Sequence, residues 1–189
     1  MIWLEDLNNN LLSNTVPHKG LVQIFTGDGK GKTTAAVGTI IRALGHGLRV
    51  YIAVFMKGDR ISGEWSYLST LPGITLERFG LKTFCNPSDV KPEEKKQAGL
   101  ALTAARDALH SNKYDIVVLD EINVAVGWKL IELPEVISLI EERPAGVELI
   151  LTGRRADPEL VKRADLVTEM LKIKHPFDAG IEAREGIEY

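Results

Sequence analysis

A glycine-rich run directly after a short apolar segment constrains the fold of this chain more than any other feature. The mostly apolar residues 21–25 precede three glycines that fall within five positions, followed by Lys32 and Thr33. Closely spaced glycines let a backbone turn tightly and direct successive N–H groups into one concavity that suits a polyanion. The next residues are typical of a helix, whose N-terminus adds partial positive charge at the same place. The sequence therefore predicts a strand–loop–helix unit that holds phosphate, with Lys32 as a mobile cation and Thr33 as a hydroxyl ligand for Mg²⁺.

The run departs from the usual phosphate-binding pattern at one position. It comprises Thr26, Gly27, Asp28, Gly29, Lys30, Gly31, Lys32, Thr33 and Thr34. In the pattern G-x-x-x-x-G-K-[ST] the first glycine would fall on Thr26, so the match is incomplete. Two interpretations follow, a chance glycine loop or a P-loop whose first turn has an altered geometry. The strand before the run and the helix after it favour the P-loop, which makes a nucleoside triphosphate the first ligand to test.

Short apolar segments alternate with helical segments along the chain. The predicted strands are residues 21–26, 49–56, 74–79, 115–120, 147–152 and 166–170, and the predicted helices are 32–44, 63–71, 92–110, 134–142 and 158–163. Buried strands that alternate with helices are typical of a parallel sheet. We therefore expect a single-domain, P-loop NTPase-like α/β fold with a mostly parallel sheet and helices on both faces. Residues 1–20 are expected to form an N-terminal arm, and residues 21–189 the nucleotide-binding domain.

Composition and charge restrict the class of protein. The 189 residues suffice for one domain, and 23 basic against 26 acidic side chains give a net charge of −3. This balance does not indicate a nucleic-acid or membrane partner. The single cysteine, Cys85, cannot form an internal disulfide and is expected to be a packing residue. These features favour a cytoplasmic protein.

Two acidic residues end the most apolar segment of the chain. Asp120 and Glu121 follow residues 116–119 in the form of a Walker B strand. Because the carboxyl ends of parallel strands meet at one edge of a sheet, one of these carboxylates can hold Mg²⁺ opposite Thr33. Arg154 follows the next strand and could contact phosphate or an acidic substrate from the same side.

With these segments in place, the chain resembles the P-loop type of ATP:corrinoid adenosyltransferases. The likeness spans about residues 20–189 and includes the run at 26–34, in which a threonine at the first position is itself the family form. Further matching segments are Arg-Ala-Leu-Gly-His-Gly at 42–47, Phe-Met-Lys-Gly at 55–58, Val-Leu-Asp-Glu at 118–121, Lys-His-Pro-Phe-Asp-Ala-Gly-Ile at 174–181 and Gly-Ile-Glu-Tyr at 186–189.

The resemblance implies transfer of the 5′-deoxyadenosyl group of ATP to the cobalt(I) of a reduced corrinoid, with triphosphate as the leaving group. It implies catalytic roles for Lys32, Thr33 and Glu121, with Thr33 and Glu121 as the Mg²⁺ ligands. The whole run at 26–34 and Arg42 are implied nucleotide contacts.

The resemblance also implies apolar cover for the corrinoid. Family members often carry Gly-Phe-Thr-Trp in the loop after the third strand, whereas residues 80–84 here read Gly-Leu-Lys-Thr-Phe. Phe84 is therefore the residue expected to provide that cover. A reduced flavoprotein as electron donor and a homodimeric assembly are further implications of the family.

Two other classes of protein would use the same phosphate motifs. A small-molecule kinase or generic P-loop ATPase would release ADP, and an ATP-dependent binding module would turn over little of either substrate. The match of the C-terminal segments favours the adenosyltransferase over both.

Overall fold

The computed structural model describes residues 19–58, 62–83 and 85–189. Six strands form one sheet: β1 (Val22–Thr26), β2 (Val50–Val54), β3 (Ile74–Arg78), β4 (Ile116–Asp120), β5 (Glu148–Thr152) and β6 (Leu166–Glu169). The helices are α1 (Lys32–Gly45), α2 (Gly63–Leu68), α3 (Pro92–His110), α4 (Ile122–Gly127), α5 (Leu133–Glu141) and α6 (Pro158–Arg163), with a 3-10 helix at Pro176–Ala179.

The sheet is parallel throughout and has the strand order β3-β2-β4-β5-β1-β6. The predicted α/β fold is confirmed, and the expectation of a mostly parallel sheet is met by every strand pair. Because all six strands run in one direction, their carboxyl ends lie at the same edge, which is where open α/β sheets bind ligands. This edge carries the loop after β1 and the acidic end of β4.

The core lies on both faces of the sheet, and alternate residues of β2 divide between them. Tyr51 and Ala53, with Phe55 just after the strand, pack with the buried side of α3, whereas Val50 and Ile52 pack with α1 and α2. Such two-sided burial explains why the strands are nearly continuous apolar runs. None of the helices in the part of the chain that the structure describes is both long and apolar enough to cross a membrane.

Several elements differ from the sequence prediction. Helix α4 and the 3-10 helix at Pro176–Ala179 were not predicted. Helix α2 ends at Leu68, three residues before the predicted end at 71. The predicted strands extend one to three residues beyond the observed ends, as at β2, where residues 49–56 were expected. Residues 1–18 of the predicted arm, and Phe84, lie outside the described residues, so both stay predictions.

Candidate active site

The glycine loop between β1 and α1 has a backbone shape that depends on glycine. Gly27 and Gly31 have φ values of 98° and 110°, in the left-handed region that other residues rarely adopt. The N–H of Gly29 donates to the carbonyl oxygen of Met170 at 2.7 Å, just beyond β6. A Cβ atom on Gly29 would lie 2.7 Å from that same oxygen. The loop is therefore fixed from three sides, by β1, α1 and the chain that leaves β6.

Lys32 is the first residue of α1 and lies over the loop. Its Nζ donates to the carbonyl oxygen of Gly29 at 2.6 Å. Burial lowers the pKa of Lys32, and the neighbouring Arg154 lowers it further, while Glu121 and Asp28 oppose the shift. A polyanion in front of the loop would stabilise the charged form of Lys32, so the site is suited to one.

Asp120, at the end of β4, is the centre of a hydrogen-bond network. It is fully buried. Its Oδ1 accepts from the hydroxyls of Thr33 at 2.9 Å and Thr152 at 2.8 Å, and its Oδ2 accepts from Nζ of Lys57 at 3.1 Å. One carboxylate thus joins residues from α1, the end of β5 and the turn after β2. Both of its oxygens are occupied by donors of the protein itself.

Glu121 is held differently, although it is the next residue. Its φ is 67°, and its N–H donates to the Thr152 hydroxyl at 2.9 Å. Glu121 lines the wall of a cavity. Burial raises the pKa of Glu121, and so does the adjacent Asp120, whereas Lys57, Lys32 and Arg154 counteract the shift.

The side-chain oxygens in this wall fit Mg²⁺ when a nucleotide supplies the remaining ligands. Mg²⁺ takes oxygen ligands, keeps several waters and is bound through one or two protein groups plus substrate phosphates. The Thr33 hydroxyl and the Glu121 carboxylate line the same cavity. Within the described ranges there is no group of three or more His, Cys, Asp or Glu side chains that could hold a metal without such help. Of the two acidic residues at the end of β4, Glu121 lines the cavity and Asp120 does not.

The cavity has a volume of about 860 Å³ and brings together half of the predicted site residues. Its wall includes Lys30, Gly31, Lys32, Thr33, Thr34 and Glu121. Thr26 is buried behind the loop, where its Oγ1 accepts from the N–H of Ala156 at 3.0 Å. Gly27 and Gly29 are buried in the loop, and Asp28 between them is exposed.

Arg42 is the predicted contact that lies apart from this group. It belongs to the last turn of α1 and is exposed. It lies ten positions after Lys32, which is about 15 Å along the helix axis. It is not part of the cavity wall. In this structure Arg42 is therefore not brought to the loop, and its nucleotide contact stays a prediction.

Sequence reasoning gave no role to Lys57 or Thr152. Lys57 follows β2, and Thr152 ends β5. Both strands lie next to β4 in the sheet, so the sheet order places both residues at the carboxyl edge. Lys57 lies in the matching segment at 55–58 and Thr152 ends a predicted strand, but the sequence alone assigns a role to neither side chain. Arg154, which had been considered as a phosphate contact, does line the cavity.

The C-terminal segment forms another wall of the cavity. Ala183, Ile187 and Tyr189 line it, together with Glu188, whose Oε1 is 2.7 Å from Nζ of Lys30. The Glu188 carboxylate also accepts three hydrogen bonds from Arg184. These bonds hold the pKa of Glu188 well below its usual range, with Arg184 the larger cause and Lys30 the second.

Comparison with known proteins yields one consistent family. The model of the family described as ATP:corrinoid adenosyltransferase BtuR/CobO/CobP matches residues 18–189. A corrinoid adenosyltransferase of Sinorhizobium sp is 35% identical over 181 residues, which cover 95% of this chain and 85% of that protein. One from Pseudomonas aeruginosa is 35% identical over 171 residues, covering 90% and 84%. Corrinoid adenosyltransferase CobA of Salmonella typhimurium is 37% identical over 177 residues, covering 90% and 86%.

Proposed function

The chain belongs to the ATP:corrinoid adenosyltransferase family, and we propose that adenosyl transfer takes place in the cavity at the carboxyl edge of its sheet. The 5′-deoxyadenosyl group of ATP passes to the cobalt(I) of a corrinoid, as in the formation of adenosylcobalamin. The observation that carries this placement is that the glycine loop and the acidic end of β4 line one cavity of about 860 Å³. Ligand pockets of about 300–1,000 Å³ enclose molecules of drug size, so this cavity has room for a nucleotide and part of an acceptor.

The reaction is an attack on carbon and not on phosphorus. The electron pair of cobalt(I) forms the bond to C5′, the C5′–O bond breaks, and triphosphate leaves with the electron pair of the broken C5′–O bond. Cobalt(I) is a strong nucleophile, so the protein does not need a general base. Its tasks are to align the two reactants and to stabilise the departing polyanion.

The residues of the loop are suited to the second task. Lys32 and the N–H groups at the start of α1 would bind the triphosphate, because they supply positive charge that is already oriented. Thr33 and Glu121 would hold Mg²⁺, which neutralises part of the charge of the triphosphate when it is bound. The same residues would hold ATP so that C5′ points away from the loop and towards the corrinoid.

The electron donor, the cover of the corrinoid and the assembly of the protein are proposed as well. Cobalt(I) must be made from cobalt(II), so a reduced flavoprotein is the proposed donor, and Phe84 is the proposed apolar cover on the corrinoid side. A homodimer is proposed because β6 is an edge strand with Leu166 and Val167 exposed, and Leu171 and Ile173 after it are exposed as well. The need for ATP and a reducing partner favours the cytoplasm.

An anaerobic incubation with Mg-ATP and chemically reduced cob(I)alamin tests the activity directly. The corrinoid spectrum and the phosphate product are followed together. Light-sensitive adenosylcobalamin and intact triphosphate are expected. ADP or orthophosphate without an alkylated corrinoid would instead identify a kinase or ATPase, which is the alternative that the two phosphate motifs would also allow.

A further inference from the structure

Lys57 is the charged partner of the buried carboxylate at the centre of the site. Its Nζ lies 3.1 Å from Oδ2 of Asp120, whose side chain is completely buried, while 31% of the Lys57 side chain is exposed to the cavity. A buried carboxylate is costly unless it is both hydrogen-bonded and paired with an opposite charge. The hydroxyls of Thr33 and Thr152 donate hydrogen bonds to Asp120 but bring no charge. Among the described residues, Lys57 is the cation that forms an ion pair with Asp120.

The turn that carries Lys57 is shaped to direct it at Asp120. Met56, just before it, has a φ of 59°, which is strained for a residue with a side chain. The N–H of Lys57 donates to the carbonyl oxygen of Phe79 at 3.2 Å. A Cβ atom on Gly58 would lie 2.6 Å from the carbonyl oxygen of Gly80. The turns after β2 and β3 are therefore in close backbone contact, and this contact fixes the direction in which Lys57 leaves the sheet.

The hydrogen bond between Thr33 and Asp120 determines which way the Thr33 oxygen faces. A threonine hydroxyl has one proton to donate and two lone pairs. Because the proton is donated to Oδ1 of Asp120 at 2.9 Å, the lone pairs are left for a ligand on the cavity side. An ionised Asp120 is the stronger acceptor for this bond. The orientation of the Thr33 hydroxyl thus depends on the charge pair between Asp120 and Lys57.

We propose that Lys57 is a positioning residue of the metal–nucleotide site, which neutralises Asp120 so that Asp120 can hold the Thr33 hydroxyl with its lone pairs towards Mg²⁺. The inference rests on the proposed function, since it concerns the Mg-ATP of that reaction. Lys57 remains on Asp120 when ATP binds and acts through Asp120 and Thr33. Direct contact of Lys57 with phosphate is the competing role.

Calorimetric titration of ATP, once with Mg²⁺ and once with EDTA, separates the two roles. Lys57→Met is expected to weaken ATP binding in Mg²⁺ by about 10- to 100-fold, the usual cost of losing a partner that orients a metal ligand. In EDTA the affinity is expected to change by less than about threefold, because no metal is there to be positioned. An equal loss in both buffers would overturn the proposal in favour of direct phosphate contact, and no loss in Mg²⁺ would overturn it as well. Lys95→Met, the same change at an exposed position of α3, is the matched control.

A second substitution keeps the test decisive if Lys57→Met does not fold. Asp120→Asn removes the buried charge but retains an oxygen that can accept from Thr33. In that background Lys57 has no charge to neutralise, so adding Lys57→Met is expected to cost less than about threefold in Mg-ATP affinity. A further loss of about tenfold or more would show that Lys57 binds the nucleotide itself and would overturn the proposal. Failure of the wild-type protein to form adenosylcobalamin would count against the proposed function, whereas these titrations measure ATP binding and test Lys57 separately.

Discussion

Two lysines of the same loop differ in their surroundings. Lys32 is partly buried and bonded to the Gly29 carbonyl oxygen, whereas 43% of the Lys30 side chain is exposed and its Nζ pairs with Glu188. We expect Lys32→Ala to lower adenosyl transfer by about 10²-fold or more, since it removes an oriented charge from the departing triphosphate. Lys30→Ala, the matched change in the same loop, should cost less. Single-turnover rates with chemically prepared cobalt(I) measure both, and near-normal activity of Lys32→Ala would remove the loop from the mechanism.

Cys85 provides a residue-level test of burial outside the site. Its side chain is buried, and burial together with a hydrogen bond to Glu94 raises the pKa of the thiol from 9.0 to about 11. The thiolate is the reactive form, so a shift of two pH units lowers its population at pH 8 by about 100-fold.

We therefore expect iodoacetamide to alkylate the native protein far more slowly than the protein in denaturant, with a native rate that rises until the pH reaches about 11. Because the folded-state pKa is the higher one, the thiol stabilises the fold fully below pH 9 and loses that contribution as the pH rises towards 11. As Cys85 is the single cysteine of the chain, mass spectrometry reports on it alone. Equal rates with and without denaturant would contradict its burial.

At the scale of elements, replacement by alanine is expected to have opposite effects on stability at two glycines, one within α1 and one in the loop before it. Gly38 lies within α1, is exposed, and has no atom within 4 Å of the place that a Cβ would occupy. Gly38→Ala should raise the free energy of unfolding by about 0.5–1 kcal/mol, because alanine loses less entropy in a helix. Gly29→Ala should lower both stability and ATP affinity, since its Cβ would meet backbone oxygens of Met170 and Leu171 at 2.7 Å. Urea unfolding and ATP titration of the two variants measure these effects, and a Gly29→Ala protein that binds ATP normally would contradict the account of the loop.

The helices and strands also show how much of the fold could be predicted from the sequence alone. Helix α3 was predicted with both ends correct, because Pro92 is favoured at the start of a helix and the apolar spacing continues to His110. The glycine loop and the acidic end of β4 were found from their motifs. Helix α4 was missed because it begins after Glu121, whose left-handed backbone has no sequence signature in a glutamate. Lys57 was missed because its role depends on a contact with Asp120 across 63 residues, which only the sheet order creates.

At the scale of the whole molecule, the strand order determines which parts of the chain share the ligand. β1 and β2 are consecutive in sequence but are separated in the sheet by β5 and β4. Asp120 and Thr152 end the two intervening strands, and the loop and Lys57 approach from either side. The ends of β1, β2, β4 and β5 therefore meet at one site, and residues 81–83 after β3 also line its cavity, so the site joins segments that are distant in sequence.

This shared site predicts that ligand binding stabilises the fold as a unit. A ligand at 100 times its dissociation constant stabilises the native state by about 2.7 kcal/mol. For a chain of this size that corresponds to a rise in Tm of about 5–10 °C. We expect Mg-ATP to produce such a rise in one cooperative transition, with ATP in EDTA producing less at the same concentration because Thr33 and Glu121 then lack their metal. Calorimetric scans over a series of ATP concentrations measure the effect, with Lys32→Ala as the variant expected to show a smaller shift. An equal shift in EDTA would argue against the metal ligands, whereas melting of separate parts at different temperatures would argue against a site that joins four strands.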